Sequence, residues 1–222
     1  MSTTISQIQD RAVAWSVANG ASSLVSDTAE IISRVAADER SLYDLAAESS
    51  SHYFAYSQSV TSSGGASART ITTTALTYPV KRILKLVLST GSQVNQVDLR
   101  DLDAELEPRY YMLGTTITEV ENDWSEVSGA VSATLSYVRG PAVLSASGAL
   151  SQTISLDDQF ADILEMKLAR YLCQKDVGRG AEEMALLDQR INERMQDFLS
   201  FLSTFGGVEV RRFNLSKVGN KS

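Results

Sequence analysis

The densest run of acids in the chain is VDLRDLDAELE, which sets Asp98, Asp101, Asp103, Glu105 and Glu107 close together. Carboxylates at that density can hold a hard cation through oxygen ligands. The run lacks the DxDxDG…E spacing and the turn glycine of a calcium loop. The cation signal is therefore weak, and with Arg100 and Arg109 beside it the run reads as a solvated strand end and turn. Composition alone leaves the cation question open. A carboxylate pair for glycoside hydrolysis needs a cleft of fixed width, which spacing along the chain does not supply. A second acidic pair, Asp157-Asp158, opens the stretch ISLDDQFADILEMKLARYLCQKD, which also holds the one cysteine of the chain, Cys173.

A single cysteine excludes an intrachain disulfide and any thiolate zinc cluster. Cys173 sits beside Leu172 among bulky neighbours, with no nearby histidine or helix start to favour its thiolate, and reads as a packing residue. The only histidine, His52, lies in SSSHYFAY. Two-histidine metal sites are therefore excluded, and without a GxSxG elbow a serine triad has no frame. No GxGxxG, GxxxxGK[ST] or CxxC occurs, and the GRG at 178–180 falls between helices rather than after a strand. Tyr110-Tyr111 and Trp124 could stack on a ligand, but strand packing or a subunit contact uses aromatic residues in the same way. No catalytic, cofactor-binding or metal-ligating set emerges, so the reading is of a protein that is not an enzyme.

The elements that carry these residues follow from periodicity. Ile5, Ile8, Ala12 and Trp15 predict an amphipathic helix over 4–18, ending near Asn19-Gly20. Asp27 followed by Glu30 resembles a capping box, and Ile32, Val35, Leu42 and Ala46 mark one face of a second helix that fades at serines 49–51. From Val60 to Thr74 eight of fifteen residues are serine or threonine, with Gly64-Gly65 among them, which predicts a mobile loop. The period then becomes 2. Leu84, Leu86 and Leu88, with Val97 and Leu99 after the turn TGS, predict a hairpin. A second strand pair flanks Gly114, and VSATLSYV turns Val131, Ala133, Leu135 and Tyr137 to one side until Gly140-Pro141 stops it.

Helical spacing returns at Phe160, Ile163, Leu164, Leu168, Tyr171 and Leu172, with Asp157 and Asp158 placed to cap the helix start. A last helix carries Met184, Leu187, Ile191, Met195, Phe198 and Leu202, and the short link requires the two to run antiparallel. After Gly206-Gly207 the tail VEVRRFNLSKVGNKS alternates weakly, so it either frays or adds to a partner's sheet. The partner-contact candidates are Val208, Val210, Arg211, Arg212, Phe213 and Leu215. The expected fold is α+β: N-terminal helices, an antiparallel β-rich middle at about 70–140, an antiparallel helix pair at about 156–203 and an extended tail.

Of the 222 residues, 43% are hydrophobic and 21% charged, as in globular proteins, and the net charge is −7. Such a balance argues against tight nonspecific binding to nucleic acid. The local basic groups, Lys81-Arg82-Lys85 and Arg211-Arg212-Lys217-Lys221, are sparse. No apolar run approaches the ~18 residues of a membrane span. The start MSTTISQIQDRAVAW has neither the basic residues nor the apolar stretch of a secretory signal, so a cytosolic protein is expected.

The order of elements, and the segments VKRILKLVLSTGSQVNQVDLRDLDAELEPRYYMLGTTITEVENDW, VSATLSYVRGP and LDDQFADILEMKLARYLCQKD, resemble head–tail connector (adaptor) proteins of tailed bacteriophages. In that family a short acidic or proline-containing cap precedes a helix of the form "QF/EW…LL…AARYL". A charged helix of the form EE…LL…R…R…FL follows. The likeness spans roughly residues 20–204. This chain differs from shorter members in its long N-terminal region and larger β-rich middle.

The resemblance implies a single adaptor domain over 1–222, with a β-rich insertion at about 60–150 and a tail at 207–222. It implies a structural virion protein of the neck, made in the host cytoplasm and forming a ring, usually of twelve copies. Such a ring docks on the portal, extends the DNA channel and receives the tail or a further neck protein. DNA passes it without sequence-specific binding, and neither cofactor nor membrane is involved. The alternatives are a head completion protein or a tail terminator, and more remotely a virion-associated carboxylate hydrolase.

Overall fold

The computed structural model describes residues 2–18, 27–49, 51–65, 68–89, 91, 93–96, 109–113, 116–120, 130–175 and 181–205. The fold is α+β and divides into two compact units, one of residues 1–53 with 141–222 and one of residues 54–140.

The first unit is helical: α1 is Ile5–Ala18, α2 Thr28–Glu48, α3 Ala161–Lys175 and α4 Ala181–Thr204. Each helix buries most of the stripe that its spacing marks, while Trp15, Tyr171, Met184 and Met195 stay half-buried. Ile5, Ile8 and Ala12 are buried on α1, and Ile32, Val35, Leu42 and Ala46 on α2. Phe160, Ile163, Leu164, Leu168 and Leu172 are buried at α3 and its entry, and Leu187, Ile191, Phe198 and Leu202 on α4. Removing each of the larger side chains among these from water contributes roughly 1.5–3 kcal/mol, which offsets the cost of ordering the chain. Side-chain ties give the directions. Arg170 meets Asp188 while Asp162 meets Arg194, so α3 and α4 run antiparallel.

Asp157 caps the start of the last pair. Its side chain accepts the Gln159 N–H at 3.2 Å and opens a 3-10 turn, Asp158–Phe160, that leads into α3. Asp27 caps α2 in the same way, accepting from Ala29. Glu30 does not return to complete a capping box. Its carboxylate is taken by Tyr171 and Lys175 of α3 instead, and a charge-assisted pair outcompetes one more backbone donor.

The second unit is a closed barrel of seven strands: β1 Ala55–Gly65, β2 Ala68–Thr72, β3 Val80–Leu88, β4 Gln93–Gln96, β5 Arg109–Leu113, β6 Thr116–Val120 and β7 Val131–Arg139. Their order around the barrel is β1-β2-β6-β5-β4-β3-β7, and all pairs are antiparallel except β4 with β5. The expectation of a loop over 60–74 is therefore wrong. Ala55–Ser62 pairs with β7, and Ser63–Gly65 turns to pair with β2. The physical reason lies in the alternation. Val60 and Ser62 point inward, while Ser57, Ser59 and Thr61 are exposed. The hydroxyls of Ser57 and Ser136 meet across the pair at 2.8 Å. Threonine is β-branched and suits a strand, so the hydroxyl content marks a wet face and not a loop.

The barrel interior is filled by side chains, among them Ile71, Leu86, Val94, Tyr110, Ile117, Leu135 and Tyr137. In β3 a bulge between Ile83 and Lys85 shifts the inward phase, so Ile83 is buried where Leu84 is only half-buried. The predicted hairpin is β3–β4, with Gly91 at φ 89° in the connection, a conformation that glycine adopts without strain. Val97 and Leu99 lie outside the described residues.

Candidate functional site

Helix α3 carries most of the polar chemistry of the helical unit. Arg11 of α1 donates to Glu165 at 2.7 Å, and the Glu165 side chain is 6% exposed against 59% for Arg11. Small residues let α1 and α3 approach: the Ser16 hydroxyl lies 2.7 Å from the Ala12 carbonyl and 3.3 Å from that of Ala169. From α2, Glu30 takes Lys175 and Tyr171, and Asp38 takes Lys167 at 3.7 Å and Arg34 at 2.8 Å. From α4, Arg194 forks onto Asp162 at 2.6 and 3.0 Å and also reaches the Gln159 carbonyl at 2.8 Å.

These partners move the titrations in consistent directions. Hydrogen bonds from Lys175 and Tyr171 hold the Glu30 carboxyl below its ordinary range, and Lys175 is raised in return. Arg11, Arg170 and Arg194 are raised by Glu165, Asp188 and Asp162 respectively. The Asp158 carboxyl is lowered chiefly by the Thr3 hydroxyl at 2.6 Å, and the Thr3 N–H adds a second bond at 2.8 Å. A general acid needs a carboxyl raised toward neutrality; Glu30 and Asp158 are moved the other way.

A cavity of about 380 Å³ opens between α2, α3 and α4, lined by Arg34, Asp38, Lys167, Arg170, Asp188 and Asn192 among others. Its acids already face cations on neighbouring helices, so its chemistry is that of a tie between elements. The Arg170–Asp188 pair is exposed enough to contribute at most ~1 kcal/mol.

The buried acid Glu39 was not singled out from the sequence. It is 1% exposed and sits on the apolar face of α2. Its Oε1 accepts the backbone N–H of Ser155 at 2.6 Å and of Leu156 at 2.8 Å. The neighbouring Tyr43 hydroxyl donates to the Ser155 carbonyl at 2.8 Å. Together they fasten the segment that leads into α3. The signal was present: Val35, Glu39, Leu42 and Ala46 fall at steps of four, three and four, and an acid inside such a stripe must meet donors.

The other candidates are placed as follows. Cys173 is buried in α3. His52 is exposed, and its backbone N–H donates to the Phe205 carbonyl at 3.0 Å. Tyr110 lies inside the barrel, and burial pushes its hydroxyl up to about 12. Of the first basic group, Arg82 is half-buried and lowered by desolvation, while Lys85 is exposed. The acids Asp98 to Glu107, Trp124, the GRG at 178–180 and the tail candidates Val208, Val210, Arg211, Arg212, Phe213 and Leu215 lie outside the described residues. Among the described residues no helix is long and apolar enough to cross a membrane.

No family model matches the sequence, and no curated protein resembles it closely enough to count as a relative.

Proposed function

We propose that the chain is a structural protein of the phage neck, a head–tail connector whose copies form a ring on the portal. In this reading the ring extends the DNA channel and receives the tail or a further neck protein. One observation supports it above the others. The stretch Leu156–Asp176, which carries the resemblance most clearly, supplies the central helix α3 to which α1, α2 and α4 are tied. The described acids in that stretch are spent on internal ties, Asp157 on a cap, Asp158 on Thr3, and Asp162 and Glu165 on arginines of neighbouring helices, as a load-carrying subunit requires. The net charge of −7 suits a channel that DNA must traverse without sticking.

The tail from residue 207, with Val208, Val210, Arg211, Arg212, Phe213 and Leu215, is the segment proposed to grip the portal or a neighbouring copy. Its apolar alternation suits addition to a partner's sheet. The chain is made in the host cytoplasm and resides in the virion.

The test is cryo-EM of purified particles that contain the chain. The expected result is density for the four helices and the barrel as a ring directly beneath the portal. Density along the tail tube, at the tail's upper end, or nowhere in the particle overturns the reading, and the second of these favours a tail terminator.

A further inference from the structure

The ties across the cavity between α2, α3 and α4 use its acids in full and its cations only in part. Arg34, Lys167 and Arg170 line it beside Asp38 and Asp188, so among the described lining residues three positive charges face two negative ones. Arg170 spends Nε and Nη2 on the two carboxylate oxygens of Asp188. Arg34 donates to Asp38 through Nε at 2.8 Å, and its two Nη groups meet no acceptor among the described residues. Its guanidinium lies over the Tyr171 ring at 5.5 Å, a contact that positions the fork without consuming those N–H groups.

The Lys167 ammonium stands 3.7 Å from Asp38, beyond hydrogen-bond reach, although its side chain is only 18% exposed. An ammonium so far withdrawn from bulk water, with three N–H groups to satisfy, takes its acceptors from the space it lines.

We propose that this cavity binds a small carboxylate, held between the Lys167 ammonium and the Arg34 fork. The local charge count selects a single negative charge. One carboxylate brings the five charged groups to neutrality, whereas a dianion leaves an excess charge in a site that is partly withdrawn from water. The two Nη groups of an arginine match the planar pair of oxygens that a carboxylate presents. Volume selects a small molecule, since about 380 Å³ lies near the lower end of the ~300–1,000 Å³ of ligand cavities. The bound acid joins α2 to α3 at Arg34 and Lys167, and the site does not depend on the ring reading.

The test uses the full chain with sodium acetate as the probe, exchanged against sodium chloride at constant ionic strength so that screening stays the same. Binding is read from the backbone amide resonances of Asp38, Lys167 and Arg170, and from the rise in melting temperature that a ligand of the folded state produces. The expected result is a saturable shift with acetate, weakened at least tenfold at unchanged circular dichroism in Lys167→Met, which keeps the apolar stem. Asp188→Asn removes one negative charge and should tighten acetate binding severalfold, which a purely structural tie would not give. This second variant also decides the matter if Lys167→Met does not fold. Shifts no larger with acetate than with chloride, or binding undiminished in Lys167→Met, overturn the proposal. An Asp188→Asn chain that binds acetate no more tightly, or a parent chain that prefers sulfate to acetate, overturns the charge count and with it the carboxylate.

Discussion

Replacing Glu39 with alanine tests whether a buried acid fastens the approach to α3. Its Oε1 accepts two backbone donors, from Ser155 at 2.6 Å and Leu156 at 2.8 Å, from a residue 1% exposed. Hydrogen bonds to a charged group contribute about 1.5–3 kcal/mol each, so the gross loss is roughly 3–6 kcal/mol. Part of this is offset, because the variant no longer desolvates a carboxylate. What persists is the buried Leu156 N–H left without its acceptor, at about 1–3 kcal/mol, together with the lost side-chain packing. The Ser155 N–H is only partly buried and can turn to water. The expected net destabilisation for Glu39→Ala is therefore about 2–4 kcal/mol. Glu39→Gln keeps an acceptor in the same place and should cost about 1 kcal/mol. Urea unfolding followed by far-ultraviolet circular dichroism measures both, provided that the slope stays constant while the midpoint moves. A Glu39→Ala midpoint within about 0.5 kcal/mol of the parent refutes the fastening argument. Equal losses for the two variants would show that the negative charge matters and the acceptor geometry does not.

Three further outcomes follow from the same contacts. Leu168 is fully buried in α3, so Leu168→Asp places an unpaired charge in the core and should abolish cooperative melting; an unchanged melting temperature would refute the helical register. Asp158 is lowered by Thr3, so its contribution is complete above its ordinary value of 3.8 and is lost as pH falls through the lower folded value; Asp158→Asn should flatten the acid limb of a melting-temperature profile, and an unaltered limb would refute the tie. Tyr110 is raised from 10.0 to about 12 by burial, so its contribution is complete below pH 10 and is lost as pH rises toward 12; Tyr110→Phe should reduce the slope of stability over that window, and an identical slope would refute its burial as the cause.

The helices were legible because each stripe repeats every three or four residues over several turns, and burial follows that repeat from Ile5 to Leu202. Strand β7 was legible for the parallel reason, with Val131, Ala133, Leu135 and Tyr137 buried in alternation. Strands β1 and β2 were not. Ser57, Ser59, Thr61 and Thr72 face outward with hydroxyls, and among the described residues of these strands Val60 and Ile71 mark the inner side as core apolar residues. What orders Ala55–Ser62 is the register with β7, from Ala55 opposite Val138 to Ser62 opposite Val131, across a sequence gap that no local window spans. Closure into a barrel is likewise a property of partners, since the pairing of β2 with β6 and of β4 with β5 joins segments distant in the chain.

The polar ties show a different kind of illegibility. Glu39 and Glu165 both interrupt apolar stripes, which announces a buried acceptor but not its donor. The donors prove to be of opposite kinds: backbone N–H groups more than a hundred residues away for Glu39, and an exposed arginine of another helix for Glu165. The difference has an energetic consequence. A backbone donor survives every change of its side chain except proline, so the Glu39 tie persists wherever α2 and the Ser155–Leu156 segment stay folded. The Arg11 tie depends on a side chain 59% exposed, within reach of solvent and of any surface that docks there. The helical unit is thus held by a fixed tie at the entry to α3 and by an environment-sensitive one between α1 and α3.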